Sequence, residues 1–167
     1  MKATIESLQV EVAQAQTVVP LRVSAIEAAA SSRLLTVASN TMLVEVAAML
    51  SSARISVVVV CDAEGTALGT ITETVLVSRL FLGQADFFTT GAGEVMTRSF
   101  AVCKPEDLLS DVLEKMHEKG LAHVLVIDSN NKLVGIVNAR DGLRALLAAG
   151  NLEETLLRNY VMGIGYQ

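Results

Sequence analysis

The sequence predicts a mixed α/β fold made of two tandem copies of one small βαββα unit, and three observations carry that prediction. Laid on itself with a shift of 66 residues and no gap, the chain places Leu43 on Leu109, Val46 on Val112, Val58 on Val124, Val60 on Val126, Asp62 on Asp128 and Gly69 on Gly135. The apolar pattern repeats where identities stop, with Val37 on Cys103, Leu50 on Met116, Ile55 on Leu121 and Ile71 on Val137. Such a period is too long for common solenoid units and fits a duplicated small domain. Helical and strand periodicities also alternate within each copy. Finally, 51% of the 167 residues are hydrophobic but only 4% aromatic, a composition suited to short helices and strands packed through Val, Leu, Ala and Ile.

Each copy opens on a short apolar strand, Leu34 to Val37 and Phe100 to Cys103. A helix follows, because Leu43, Val46, Ala47 and Leu50 stand at i, i+3, i+4 and i+7, as do Leu109, Val112, Leu113 and Met116. Pro105, Glu106 and Asp107 predict the first turn of the second of these helices, and Gly120 its end. The β-branched runs Val57 to Cys61 and Val124 to Ile127 predict strands buried on both faces. Asp62-Ala63-Glu64-Gly65 and Asp128-Ser129-Asn130-Asn131 turn each of these into a further strand, Ala67 to Thr72 and Leu133 to Asn138. A closing helix completes each copy, about Glu73 to Leu82 and Arg140 to Ala149.

The resulting division is an N-terminal extension over 1–30, a first unit over 31–82, a linker over 83–94, a second unit over 95–149 and a tail over 150–167. Ile5, Leu8 and Val12 are spaced as in an amphipathic helix, and Leu152, Leu156 and Leu157 suggest another half-buried turn. Gly91-Ala92-Gly93 lacks the rest of a phosphate-loop fingerprint and is read as linker.

Charge and spacing exclude several functions. A net charge of −5 without a basic run argues against nucleic-acid binding. No apolar stretch approaches the roughly 20 residues of a membrane span, and the N-terminal residues lack a secretory pattern, so a cytoplasmic protein is expected. Cys61 and Cys103 form no Cys-x-x-Cys pair and are expected as buried thiols. His117 and His123 offer no metal-ligand spacing, so no metal is expected.

Gly135-Ile136-Val137-Asn138-Ala139-Arg140-Asp141, Val95-Met96-Thr97 and the run from Gly120 to Asp128 resemble the tandem CBS-domain, or Bateman, family over roughly residues 30 to 149. The resemblance implies two units packed through their sheets about a pseudo-twofold axis, often dimeric. It also implies clefts between the units that bind adenosine-containing ligands, AMP, ADP or ATP above all. A carboxylate suits a ribose cis-diol because it offers several acceptor sites, and a helix N-terminus offers free N–H groups to phosphate. On that pattern Asp141 holds the ribose, Asn138 and Arg140 lie near the phosphates, and His123 takes a phosphate-facing position. Leu35, Thr36, Ile55 and Ser56 wall the adenine.

The first copy departs from the pattern, since Gly69-Thr70-Ile71-Thr72-Glu73-Thr74-Val75 puts Val75 where the second copy has Asp141 and Thr74 where it has Arg140. One nucleotide per chain at most is therefore expected. Each candidate also has a plain alternative. Asp141 can serve the helix dipole, Arg140 can be a solvated surface arginine, His123 can be a hydrogen-bonded strand residue, and Met42, Met49 and Met116 read as packing. The function expected is a regulatory module that binds an adenine nucleotide and signals to an unidentified partner protein, with no enzymatic activity. The alternatives are a ligand-free structural or dimerisation protein, or a sensor of S-adenosylmethionine or NAD.

Overall fold

A computed structural model describes residues 20–83 and 86–150. The helical spacings noted at Ile5 to Val12 and at Leu152 to Leu157 lie outside these residues. A 3-10 turn over Val23–Ile26 leads into helix α1, Glu27–Ser32. The first copy then runs through strand β1 (Thr36–Ala38), helix α2 (Leu43–Ala53), strands β2 (Val57–Cys61) and β3 (Ala67–Thr72), and helix α3 (Glu73–Phe81). The second repeats this order after the short helix α4 (Ala92–Val95), with β4 (Val102–Cys103), α5 (Leu109–Glu118), β5 (His123–Ile127), β6 (Leu133–Asn138) and helix α6 over 139–150.

Each copy forms a three-stranded sheet in the order given, the first pair parallel and the second antiparallel. The predicted hairpins form as expected. Asp62 Oδ1 accepts from the amides of Glu64 and Thr66, and Asp128 Oδ1 from those of Asn130 and Lys132, so each turn is closed by its own aspartate. The register even slips at the same place, between Val60 and Cys61 and between Val126 and Ile127. The opening strands are shorter than predicted, because pairing begins only at Thr36 and Val102.

Strand alternation explains why both central strands are apolar throughout. Val58 and Val60 face the first copy's own helices beside Leu43, Val46, Leu50 and Ile71, while Val57, Val59 and Cys61 face Leu125 and Ile136 of the other sheet. Val124 and Val126 likewise turn to Leu109, Val112 and Met116. The units thus pack sheet against sheet, and the predicted stripes of α2 and α5 are the ones buried. Both cysteines are free and buried, and burial, aided by Asp107, pushes the Cys103 thiol up to about 12.

Two sequence expectations need correction. Pro105 to Asp107 do not start α5, which begins at Leu109. They form a turn in which Lys104 N–H donates to Asp107 Oδ2, and the carbonyls of Pro105 and Asp107 accept the amides of Ser24 and Val23. Nor is the stretch between the copies a bare tether, because Phe87, Ala92 and Val95 are buried in the first core. The segment before the first copy is used in the opposite sense. Val23, Ile26 and Ala30 are buried in the second core, where Gly135 lets α1 sit so close that a Cβ there would lie 3.0 Å from Ala30. Gly69 gives Met96 the same close approach in the first copy.

Candidate functional site

The polar residues of the loops and helix ends collect where the two sheets meet. The register of β5 and β6 sets His123 opposite Asn138, and Ser56, just before β2, reaches across from the other unit. Asn138 caps α6: its Oδ1 accepts the Arg140 amide at 2.8 Å. That leaves Asn138 Nδ2 to face His123 Nε2 at 3.5 Å, so Nε2 is an acceptor, and Ser56 Oγ donates to it at 2.9 Å. Burial, and after it the positive charge of Arg33, holds the His123 pKa below its ordinary range.

Beside this relay lies a cleft of about 720 Å³ lined by Leu50, Ser51, Arg54, Ser56 and Glu73 from the first copy, by Ala122, Asn138, Ala139 and Arg140 from the second, and by Arg33. Positions 56 and 122, and positions 73 and 139, are equivalent under the repeat, so the cleft crosses the pseudo-twofold axis. Its polarity comes from unequal halves, since Ser56 and Glu73 have Ala122 and Ala139 as their counterparts. Three arginines against one carboxylate, Glu73, leave its lining net cationic.

Asp141 occupies the first turn of α6 but is not itself in the cleft wall. Its carboxylate is held by Arg33, whose Nε donates to Oδ2 and whose Nη2 donates to Oδ1 at 3.0 Å in a forked pair. These bonds outweigh partial burial, and with the charges of Arg33, Arg144 and Arg140 they hold the carboxyl below its usual range. The same bonds raise the Arg33 pKa further.

Of the residues singled out in the sequence, the structure therefore brings Ser56, Asn138 and Arg140 to one cleft and sets His123 and Asp141 at its edge. It does not bring Leu35, Thr36 or Ile55 into the wall. Leu35 packs against the first core, Thr36 is exposed on β1, and Ile55 is buried immediately before Ser56. Sequence reasoning missed Arg33 and Arg54. Arg33 carries no local signal, because its partner is 108 residues away. Arg54 had one: it stands opposite Gly120 in the repeat, and both adopt left-handed backbone, with φ of 53° and 62°. A side chain in that conformation is strained.

The comparisons with known proteins agree with this architecture. The profile of the CBS domain matches residues 23–81 and 92–148. A 17.7 kDa protein of Acidianus ambivalens is 28% identical over 136 residues, 81% of either chain. Among solved structures, the CBS-domain containing protein ATU1752 from Agrobacterium tumefaciens is 29% identical with a TM-score of 0.61, covering 67% of this chain and 88% of its own. The CBS domain pair of protein MJ0100, solved in complex with 5′-methylthioadenosine and S-adenosyl-L-methionine, is 25% identical with a TM-score of 0.66, covering 75% of this chain and 99% of that one. The family match takes in most of both copies, and the chain belongs to the CBS domain family as two CBS domains in tandem.

Proposed function

We propose that this chain is a regulatory module that binds one adenosine 5′-phosphate in the cleft between its CBS domains and signals occupancy to a partner protein. The observation that carries the reading is the cleft itself, where Arg33, Arg54 and Arg140 surround the capped start of α6 with Asp141 beside it. Phosphate oxygens suit the guanidinium forks of these arginines. The Asp141 carboxylate suits a ribose cis-diol, with Asn138 and Arg140 toward the phosphates, His123 behind them and Ser56 on the adenine side. The adenosine compounds bound by the MJ0100 pair support the same ligand class.

A thermal-shift panel of AMP, ADP, ATP, NAD and S-adenosylmethionine tests this. A ligand at about 100 times its Kd stabilises the fold by roughly 2.7 kcal/mol. Asp141→Ala is expected to abolish the shift. If the whole panel leaves the melting temperature unmoved, the module is a ligand-free structural protein, a reading that the satisfied Arg33–Asp141 pair favours. A response to S-adenosylmethionine alone replaces the nucleotide.

Dimerisation belongs to the same proposal. Val77 and Phe81 on α3 are 64% and 89% exposed, and their repeat equivalents Leu143 and Leu147 on α6 are 53% and 66% exposed. Matching apolar pairs on both closing helices suit a self-complementary interface. Phe81→Glu is expected to convert a dimer to a monomer in light scattering with little change in stability.

A further inference from the structure

Arg33 stands out because it is both part of the cleft wall and the counter-ion of the carboxylate behind that wall. Resting on the nucleotide reading above, we propose that Arg33 is a built-in competitor for Asp141. A ligand's cis-diol displaces it, and it then holds the ligand's anionic group, so that the cleft prefers ligands carrying both a free diol and a phosphate.

The geometry supplies each half of this exchange. The forked pair takes an acceptor site on each Asp141 oxygen and the side chain is only 13% exposed, so a diol competes with Arg33 for the accessible sites. Arg33 emerges from the short link between α1 and β1, and its side chain is 34% exposed, so it has room to turn toward the cleft. A guanidinium released without an anion would remain in a wall where Arg54 and Arg140 outnumber the one carboxylate, Glu73, so like charges still repel it. An uncharged adenosine derivative therefore bears the cost of breaking the pair with only its own diol bonds to offset it. A phosphate restores a charge-assisted fork to Arg33 and offsets that cost.

Titration calorimetry of the full-length chain with AMP, adenosine and 2′-deoxyadenosine 5′-monophosphate tests the exchange. Wild type is expected to bind AMP more tightly than adenosine. In Arg33→Met, adenosine tightens and AMP weakens, and the ratio of their Kd values contracts by about tenfold or more, the worth of one charge-assisted contact. The deoxynucleotide lacks the diol, leaves Arg33 on Asp141, and binds wild type and Arg33→Met equally. Loss of a simple attractive charge would weaken the deoxynucleotide as much as AMP, and that outcome overturns the proposal. Arg33→Lys keeps the charge without the fork, so adenosine tightens while AMP is held, and this variant decides the matter if Arg33→Met does not fold. An unchanged ratio in both variants, with wild-type binding intact, sinks the exchange and leaves the binding site standing. A wild type that binds none of the three compounds removes the nucleotide reading itself.

Discussion

At the end of its first long helix the second CBS domain has Gly120, and the first has Arg54 in the same left-handed conformation. The next cleft positions continue the contrast, with Ser56 against Ala122 and Glu73 against Ala139. At the helix start the polarity is reversed, since Val75 and Thr74 stand where the second domain has Asp141 and Arg140. The cores show no such divergence. Leu43 and Leu109 are each about fully buried, and so are Ile71 and Val137. Packing constrains the cores, since a change of one methylene is felt there, whereas the shared cleft is a place where the two domains have divided the polar work. The first contributes Arg33, Arg54, Ser56 and Glu73, the second a capped helix with Arg140 and the Asp141 carboxylate beside it.

The largest effect is expected where the copies are alike. Leu43→Ala and Leu109→Ala should each cost about 2–5 kcal/mol in urea denaturation, of similar size, because each empties an equivalent site 1% and 0% exposed. A cost confined to one of them would break the equivalence of the cores. A smaller effect is expected where they differ. Arg54→Gly should stabilise the fold by about 1 kcal/mol while weakening AMP binding, and Gly120→Ala should destabilise it by a similar amount without the deficit in binding. Equal effects on binding would remove the asymmetry of the cleft.

The smallest expected effect is in the pH profile, at the relay that joins the domains. His123 has a folded pKa below its ordinary 6.5, so the unfolded chain binds the proton more readily. Its contribution is therefore complete above that value and is lost as pH falls through 6.5 toward the folded pKa. Protonation also removes the Nε2 acceptor used by Ser56 and Asn138. His123→Gln should flatten this slope in melting temperature, leaving the separate loss below 3.8 from Asp141, whose folded pKa is depressed. A slope unchanged in His123→Gln would assign it to another group.

The hairpin strands were legible almost to the residue: Val57–Cys61, Ala67–Thr72 and Leu133–Asn138 form as predicted, and β5 begins one residue early, at His123. Helix stripes were equally clear, because periodicity is a local property. The first turn of α5 was misread because the carbonyls of Pro105 and Asp107 are spent on Ser24 and Val23, a contact that no local rule signals. The site was half legible. Asn138, Arg140 and Asp141 lie in one short motif, but the carboxylate's actual partner, Arg33, comes from before the first sheet. Arg54 was visible only by asking why an arginine occupies the place of a glycine.

The crossed placement of α1 and α4 sets how this molecule can be divided. Each half of the sequence carries a helix that covers part of the other half's sheet, since Ala30 of α1 packs on Gly135 and Met96, just after α4, packs on Gly69. A gene fragment encoding residues 86–150 would leave the Gly135 side of its sheet bare while carrying α4 with nothing to cover, and a fragment ending at 83 would carry α1 in the same state while leaving its Gly69 side bare. Mixed together, two such fragments have each other's missing piece. The indivisible object is the pair, and a single-copy ancestor with this connectivity would have been complete only as two chains.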